Sequence, residues 1–286
     1  MKNKKMNLIS FVLLAFLLLY SAILLYEVFW GVVTSLKTKE ECMYSPLAFP
    51  EKLMFENYAH VFKNFKMRIN GTNFRLSHML INTVVYTGLG ALIASIIPFV
   101  VAYITARYNF WFCKVINAFV IIVIALPIVG ATPSTISILQ SINIYDTFFG
   151  AMLLKASFLN MYYLVFHAGF LTLPKDFHEA ASIDGASELR IMLKIMFPML
   201  VKPFLTVLLI FSVDLWNDYQ GPILFLYSRP VLARGVFYIT TTPIDGLNET
   251  QYKMASSMIL LVPIVVVFSI FSKRLMGGVS MGGIKE

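Results

Sequence analysis

Residues 7–26 contain no Asp, Glu, Lys or Arg, and a helix of about twenty apolar residues is long enough to cross a hydrocarbon core. The stretch is not alone. Apolar runs at 7–33, 80–105, 115–140, 148–172, 204–227 and 254–272 mark six spans, each expected to be helical because a backbone surrounded by lipid must satisfy its polar groups within the segment. The chain of 286 residues is 58% hydrophobic and 13% charged, with a mean hydropathy of +0.76, far from a soluble globular average. It reads as an all-α integral membrane protein. No linker, long repeat or low-complexity segment divides it, so 1–286 reads as one transmembrane domain.

Six spans put both termini on one side. Lys2, Lys4 and Lys5 precede the first span, and Lys273, Arg274 and Lys285 follow the last, which favours cytoplasmic termini. A cleaved leader would have a shorter apolar region and a small-residue cleavage site, which is not seen near 29–37, so the first run is expected to remain as a helix. The loop at 34–77, with Pro46 and Pro50, is external and the longest. Its Lys37, Lys39, Lys52, Lys63, Lys66, Arg68 and Arg75 dilute the charge signal for orientation. The segment 228–253 is also external and polar.

The net charge of +8 does not point to nucleic acid, because the basic residues are scattered through loops rather than gathered into an aromatic-interleaved patch. Cys42 and Cys113 fall on different sides of a span and form no metal-type pair. His167 has no metal-ligating companions and reads as a structural histidine. No zinc-helix spacing, phosphate loop or GxSxG is present, so no catalytic, cofactor or metal residues are assigned.

Prolines inside the apolar runs, Pro98, Pro127 and Pro133, are tolerated where neighbouring helices satisfy the freed carbonyls. Lys155, Asp214 and Asp218 are charges within apolar spans and need partners or water. If spans four and five are adjacent and antiparallel, a rise of about 1.5 Å per residue places Lys155 roughly 25 Å, Asp218 roughly 21 Å and Asp214 roughly 15 Å from the inner face. Either Lys155 pairs with Asp218, or Lys155 snorkels outward and Asp218 faces a hydrated cavity.

Between spans four and five lies a polar island, 179–203. Pro174 ends the preceding helix. Phe177, Ala180 and Ala181 then share one face at i, i+3, i+4, with Asp176, Glu179 and Ser182 directed elsewhere. Gly185 breaks this short helix, and Ser187 is placed to cap a second, with Glu188 at its positive end. Arg190 and Lys194 lie opposite Leu189, Leu193 and Met196, and Pro198 and Pro203 close the unit. A helix, glycine bend, helix element with small alanines and an acidic Glu179 is a knob for another protein's groove.

Glu179-Ala180-Ala181, Gly185, Ile195 and Pro198, at this spacing, resemble the EAA loop of permease subunits in binding-protein-dependent ABC importers. Phe197 stands where that family usually has Leu, a change expected to affect packing more than docking. Asp184-Gly185-Ala186 and Leu173-Pro174 are most similar to the carbohydrate branch, the maltose-type permeases. Asn82-Thr83 resembles the start of that family's core repeat, Trp216-Asn217-Asp218 its signature in the fifth span, and the glycine-containing stretch at 277–286 its C-terminal segment. The similarity covers roughly residues 57–286.

The resemblance implies a type I ABC importer permease fold of six transmembrane helices with a cytoplasmic EAA coupling-helix loop, in a bacterial-type inner membrane. It implies as partners a homologous second permease subunit, an ATPase dimer that uses ATP and Mg, an extracytoplasmic solute-binding protein and membrane lipid. Glu179, Ala180, Ala181, Asp184, Gly185, Ile195 and Pro198 would couple to the ATPase; Trp216, Asn217 and Asp218 would line a translocation path. The alternatives are a permease for a polyamine or peptide, or an ion-driven secondary transporter with Asp214, Asp218 and Lys155 as its relay.

Overall fold

The computed structural model describes residues 7–126 and 130–276. Pro127, Lys2, Lys4, Lys5, Lys285 and the glycine-containing stretch at 277–286 lie outside the described residues, as do the side chains of Lys273 and Arg274. The described chain is mostly helical. In order it forms α1 (Leu8–Ser35), α2 (Lys39–Tyr44), α3 (Glu56–Asn64), β1 (Lys66–Ile69), β2 (Thr72–Arg75), α4 (Leu76–Arg107), α5 (Trp111–Ala125), α6 (Thr132–Ser141), α7 (Phe148–Lys155), α8 (Met161–Thr172) and α9 (Asp176–Ile183). There follow α10 (Glu188–Ile191), a π-helical turn (Met192–Met196), α11 (Phe197–Met199), α12 (Val201–Asn217), α13 (Gln220–Phe225), α14 (Leu232–Thr241) and α15 (Thr250–Met276).

Among the described residues, Leu8–Ser35, Leu76–Arg107 and Thr250–Phe271 are each long and apolar enough to cross a membrane, and Glu188–Met199 with Val201–Asn217, bent by 83°, qualifies as a pair. Other apolar runs are not continuous helices. The run at 148–172 is interrupted because Asn160 caps a new helix, its Oδ1 accepting from the N–H groups of Tyr162 (3.0 Å) and Tyr163 (3.3 Å). The run at 204–227 breaks at Asp218, whose Oδ1 accepts the N–H of Gly221 at 2.8 Å and starts α13. In the run at 115–140, α5 stops at Ala125, and α6 opens at Thr132 with Pro133 in its first turn, where a missing N–H is harmless.

The chain divides into two compact units, Met1–Met67 with Val236–Val262, and Arg68–Gly235 with Pro263–Glu286. In the first, the part of the loop expected at 34–77 that runs to Met67 is a built head. Thr38 and Glu41 form a capping box on α2, and the fully buried Lys37 donates to the carbonyls of Ser45 (3.0 Å) and Pro46 (2.8 Å). Asn57 donates to the carbonyls of Ser35 and Lys37, both at 2.9 Å, so the Lys37 side chain is enclosed without orphaning the backbone around it.

The expectation of an all-α chain is corrected by the hairpin of β1 and β2. Asn70 (φ 49°) and Gly71 (φ 81°) take the left-handed conformation at both central positions of a type I′ turn, for which Asn-Gly is the favoured pair.

In the second unit α4 is the axis, packed against α8 and α12. Its Phe99 is the centre of an aromatic cluster, with edge contacts to Phe166 (5.2 Å), Phe170 (4.9 Å), Phe197 (5.6 Å) and Phe204 (5.4 Å) between ring centroids. Such pairs add about 0.5–1.5 kcal/mol each beyond area burial. Some interior polar groups are paired: the Tyr163 hydroxyl meets Thr105 Oγ1 at 2.7 Å and donates to Asn117 Oδ1. His167 stacks on Tyr163, with centroids 5.7 Å apart.

Candidate functional site

The polar island folds as a helix, bend and helix. Helix α9 ends in a Schellman motif: the N–H of Ala186 bonds the carbonyl of Ala181 (3.0 Å) and that of Gly185 bonds Ser182 (3.1 Å). The left-handed position falls on Gly185, at φ 75°, where a side chain would be strained. Ser187 sits at the N-cap of α10, but its side chain makes no cap hydrogen bond. The π-helical turn then leads into Pro198, and α12 starts two residues before Pro203.

The two alanines separate. Ala181 is buried in the core cluster with Ile191 and Met196, while Ala180, Glu179, Asp184 and Pro198 are exposed and Ile195 is half-buried. The outer surface is apolar as well as charged, with Phe177 49%, Ile183 86%, Leu189 62% and Leu193 52% exposed. Phe177 therefore does not share a buried face with Ala181, because only the side of α9 that carries His178 and Ala181 meets the bundle. Glu179 makes no ion pair among the described residues. Phe197 turns inward, its ring 5.1 Å from Phe204, so it serves packing.

Sequence reasoning missed the underside of this element. Glu188 Oε2 accepts the Tyr103 hydroxyl at 3.0 Å and lies 3.1 Å from His178 Nε2. One carboxylate thus joins α10, α9 and the C-terminal end of α4. Placed at the first turn of α10, Glu188 reads from sequence only as a helix-dipole partner.

A second feature lies where α7 faces the break between α12 and α13. A groove of about 660 Å³ is lined there by residues including Lys155, Asn160, Phe211, Asp214, Asn217 and Asp218. Lys155 Nζ stands 3.5 Å from Asp218 Oδ2, with the two side chains 26% and 21% exposed. The same oxygen accepts the hydroxyl of buried Tyr86 at 2.7 Å, and Lys155 Nζ sits 5.5 Å from the Tyr86 ring centre. Asn217 and Asp218 line the groove; Trp216, on the same helix, does not. Tyr86 was missed because an apolar run offers no reason to single out one tyrosine. The groove has the size of a small-molecule site, and its amides, carboxylates and aromatic faces suit a polyhydroxylated solute. Among the described residues no group of three or more His, Cys, Asp and Glu is placed to hold a metal.

Asn82 and Thr83 anchor the entry to α14. Asn82 Nδ2 donates to the Pro230 carbonyl (2.9 Å) and Thr83 Oγ1 accepts the Leu232 N–H (2.7 Å). The segment expected to be a polar external loop thus contains a buried start, with Val231 and Leu232 fully enclosed, and Arg234 donates to the Tyr227 carbonyl at 2.6 Å. A nearby turn is tied to it by Asp146, whose carboxylate accepts both the N–H and the hydroxyl of Ser228.

Residues 78–280 match the family described as binding-protein-dependent transport system inner membrane component. The chain is 26% identical over 272 residues to the diacetylchitobiose uptake system permease protein NgcG of Streptomyces coelicolor, covering 94% of this chain and 86% of that protein. It is 28% identical over 260 residues to the melibiose/raffinose/stachyose import permease protein MelC of Bacillus subtilis, covering 89% of each. Among solved structures, a bacterial ABC transporter involved in the import of the acidic polysaccharide alginate matches with a TM-score of 0.76 at 18% identity, over 96% of this chain and 98% of that one. A bacterial alginate ABC transporter in complex with an alginate pentasaccharide-bound periplasmic protein matches at 0.58 and 14% identity, over 93% and 95%.

Proposed function

This chain belongs to the family of binding-protein-dependent transport system inner membrane components, and from that premise we propose that it is the permease subunit of an ATP-driven importer for a carbohydrate, a sugar or oligosaccharide. It is a multi-pass membrane protein and a transport subunit rather than an enzyme. The observation that carries the carbohydrate reading is the groove, where carboxylates and amides stand beside the aromatic ring of Phe211, together with relatives that import diacetylchitobiose and melibiose, raffinose or stachyose.

In this reading the chain crosses the membrane six times, α5 with α6, α7 with α8, and α12 with α13 each counting as one crossing, and both termini are cytoplasmic. A homologous permease supplies the other half of the pore, and an external solute-binding protein delivers the sugar to the side that carries 228–253. Glu179 and the exposed face of α9 and α10 dock on one subunit of an ATPase dimer, which binds ATP and Mg. ATP-driven closure of that dimer biases the bundle between inward and outward states.

The test is purification of the complex. The tagged chain should bring down a second permease and an ATPase in fixed ratio, and a sugar-loaded binding protein should raise ATP hydrolysis. A chain that purifies without an ATPase under conditions that keep it folded contradicts the proposal.

A further inference from the structure

Helix α4 is attached to the docking element at one end and to the groove at the other. At its inner end the hydroxyl of Tyr103, itself 3% exposed, donates to Glu188 Oε2, and His178 of α9 approaches the same oxygen. A second attachment lies one turn on, where Arg107 reaches the Leu173 carbonyl and Met196 Sδ, both at 3.5 Å. Roughly 25 Å along the helix, at 1.5 Å per residue, Tyr86 donates to Asp218. Pro98 removes one ladder hydrogen bond between these points. It is buried, however, and the next residue, Phe99, is held by four aromatic rings.

We propose that Glu188 is a positioning residue: it fastens the docking element to α4, so that a displacement of the element is carried along α4 to Tyr86 and the Asp218–Lys155 pair at the groove. This rests on the reading of α9 and α10 as the ATPase-docking element. A knob held only by its chain connections would absorb ATPase motion in the bend at Gly185. The carboxylate instead makes α9, α10 and α4 one body, since it receives a donor from α9 and another from α4.

The experiment uses the whole transporter, with its second permease, ATPase and binding protein, in proteoliposomes, and reads sugar imported per ATP hydrolysed. Glu188→Ala and Tyr103→Phe should each lower that ratio by about fivefold or more, within the usual range of coupling between sites, while the ATPase stays bound at the normal ratio. Glu188→Gln, which keeps an acceptor of the same length for Tyr103, should restore most of it. The double variant Glu188→Ala with Tyr103→Phe should be no worse than the poorer single variant. An unchanged import ratio in both single variants, additive losses in the double, or loss of the ATPase from Tyr103→Phe would overturn the proposal. Failure of the docking reading itself shows in separate variants: Glu179→Lys and Gly185→Pro, outside this contact, would then bind the ATPase and transport normally.

Discussion

Lys155 on α7 and Asp218 at the end of α12 form an ion pair of 3.5 Å, braced by the Tyr86 hydroxyl at 2.7 Å from the same carboxylate oxygen. Of the two arrangements the sequence allows for these charges, the structure has the pair. Removing one partner leaves a half-desolvated charge, so Lys155→Met and Asp218→Asn should each destabilise the detergent-purified protein by about 1–3 kcal/mol. The double variant should recover part of that loss. Strict additivity in thermal unfolding would mean that each charge is solvated on its own.

The pair was one of two arrangements legible in the sequence, because the fixed rise of a helix puts Lys155 and Asp218 at similar heights if the runs at 148–172 and 204–227 are adjacent and antiparallel. The interruptions were not. Residues 156–160 contain neither Pro nor Gly, and the signal that divides the run is Asn160, a cap residue inside an otherwise apolar stretch. In the element of helix, bend and helix, Pro174 and Gly185 announced the boundaries, yet the split between buried Ala181 and exposed Ala180 depends on which side of α9 meets the bundle. The hairpin was written plainly in Asn70-Gly71, and the cap of α2 in Thr38 and Glu41. Both were submerged in a segment that charge and proline content mark as loop.

The bend at Gly185 should matter to docking more than to folding. Gly185→Pro cannot adopt the φ of 75°, and Glu179→Lys reverses the exposed charge. Each should reduce ATPase co-purification by about tenfold, a loss of roughly 1.4 kcal/mol in binding, with the melting midpoint shifted by less than about 4 °C. Normal ATPase recovery in both would remove these residues from the docking surface.

The side reached by 228–253 is open to a labelling test. Gly246 has a φ of 77°, so the exposed neighbour Asp245 is the better site. In a Cys42→Ser background, Asp245→Cys should react with an impermeant thiol reagent in intact cells, and binding protein should slow the reaction. The remaining Cys113 is buried. Reaction only after lysis would reverse the orientation.

The head of the first unit should show an acid-dependent contribution from Glu41. Its carboxylate accepts the N–H of Thr38 at 2.8 Å and that of Glu51 at 2.7 Å, and these two bonds hold it below the usual carboxylate range. A value lowered on folding stabilises fully above the unfolded value, and the effect is lost as pH falls through the folded one. Glu41→Gln should therefore lower the melting midpoint at neutral pH by about 2–4 °C. The gap to wild type should close below about pH 4. An equal gap at both pH values would leave the charge of Glu41 without a part in the head's stability.

Energy source is the point on which an importer of this family and an ion-driven carrier differ most sharply, and uptake in proteoliposomes measures it. With second permease, ATPase and sugar-loaded binding protein present, labelled oligosaccharide should accumulate only when ATP and Mg reach the ATPase, and an uncoupler should leave the rate unchanged. Accumulation that follows an imposed ion gradient without ATP, and collapses with the uncoupler, would contradict the account.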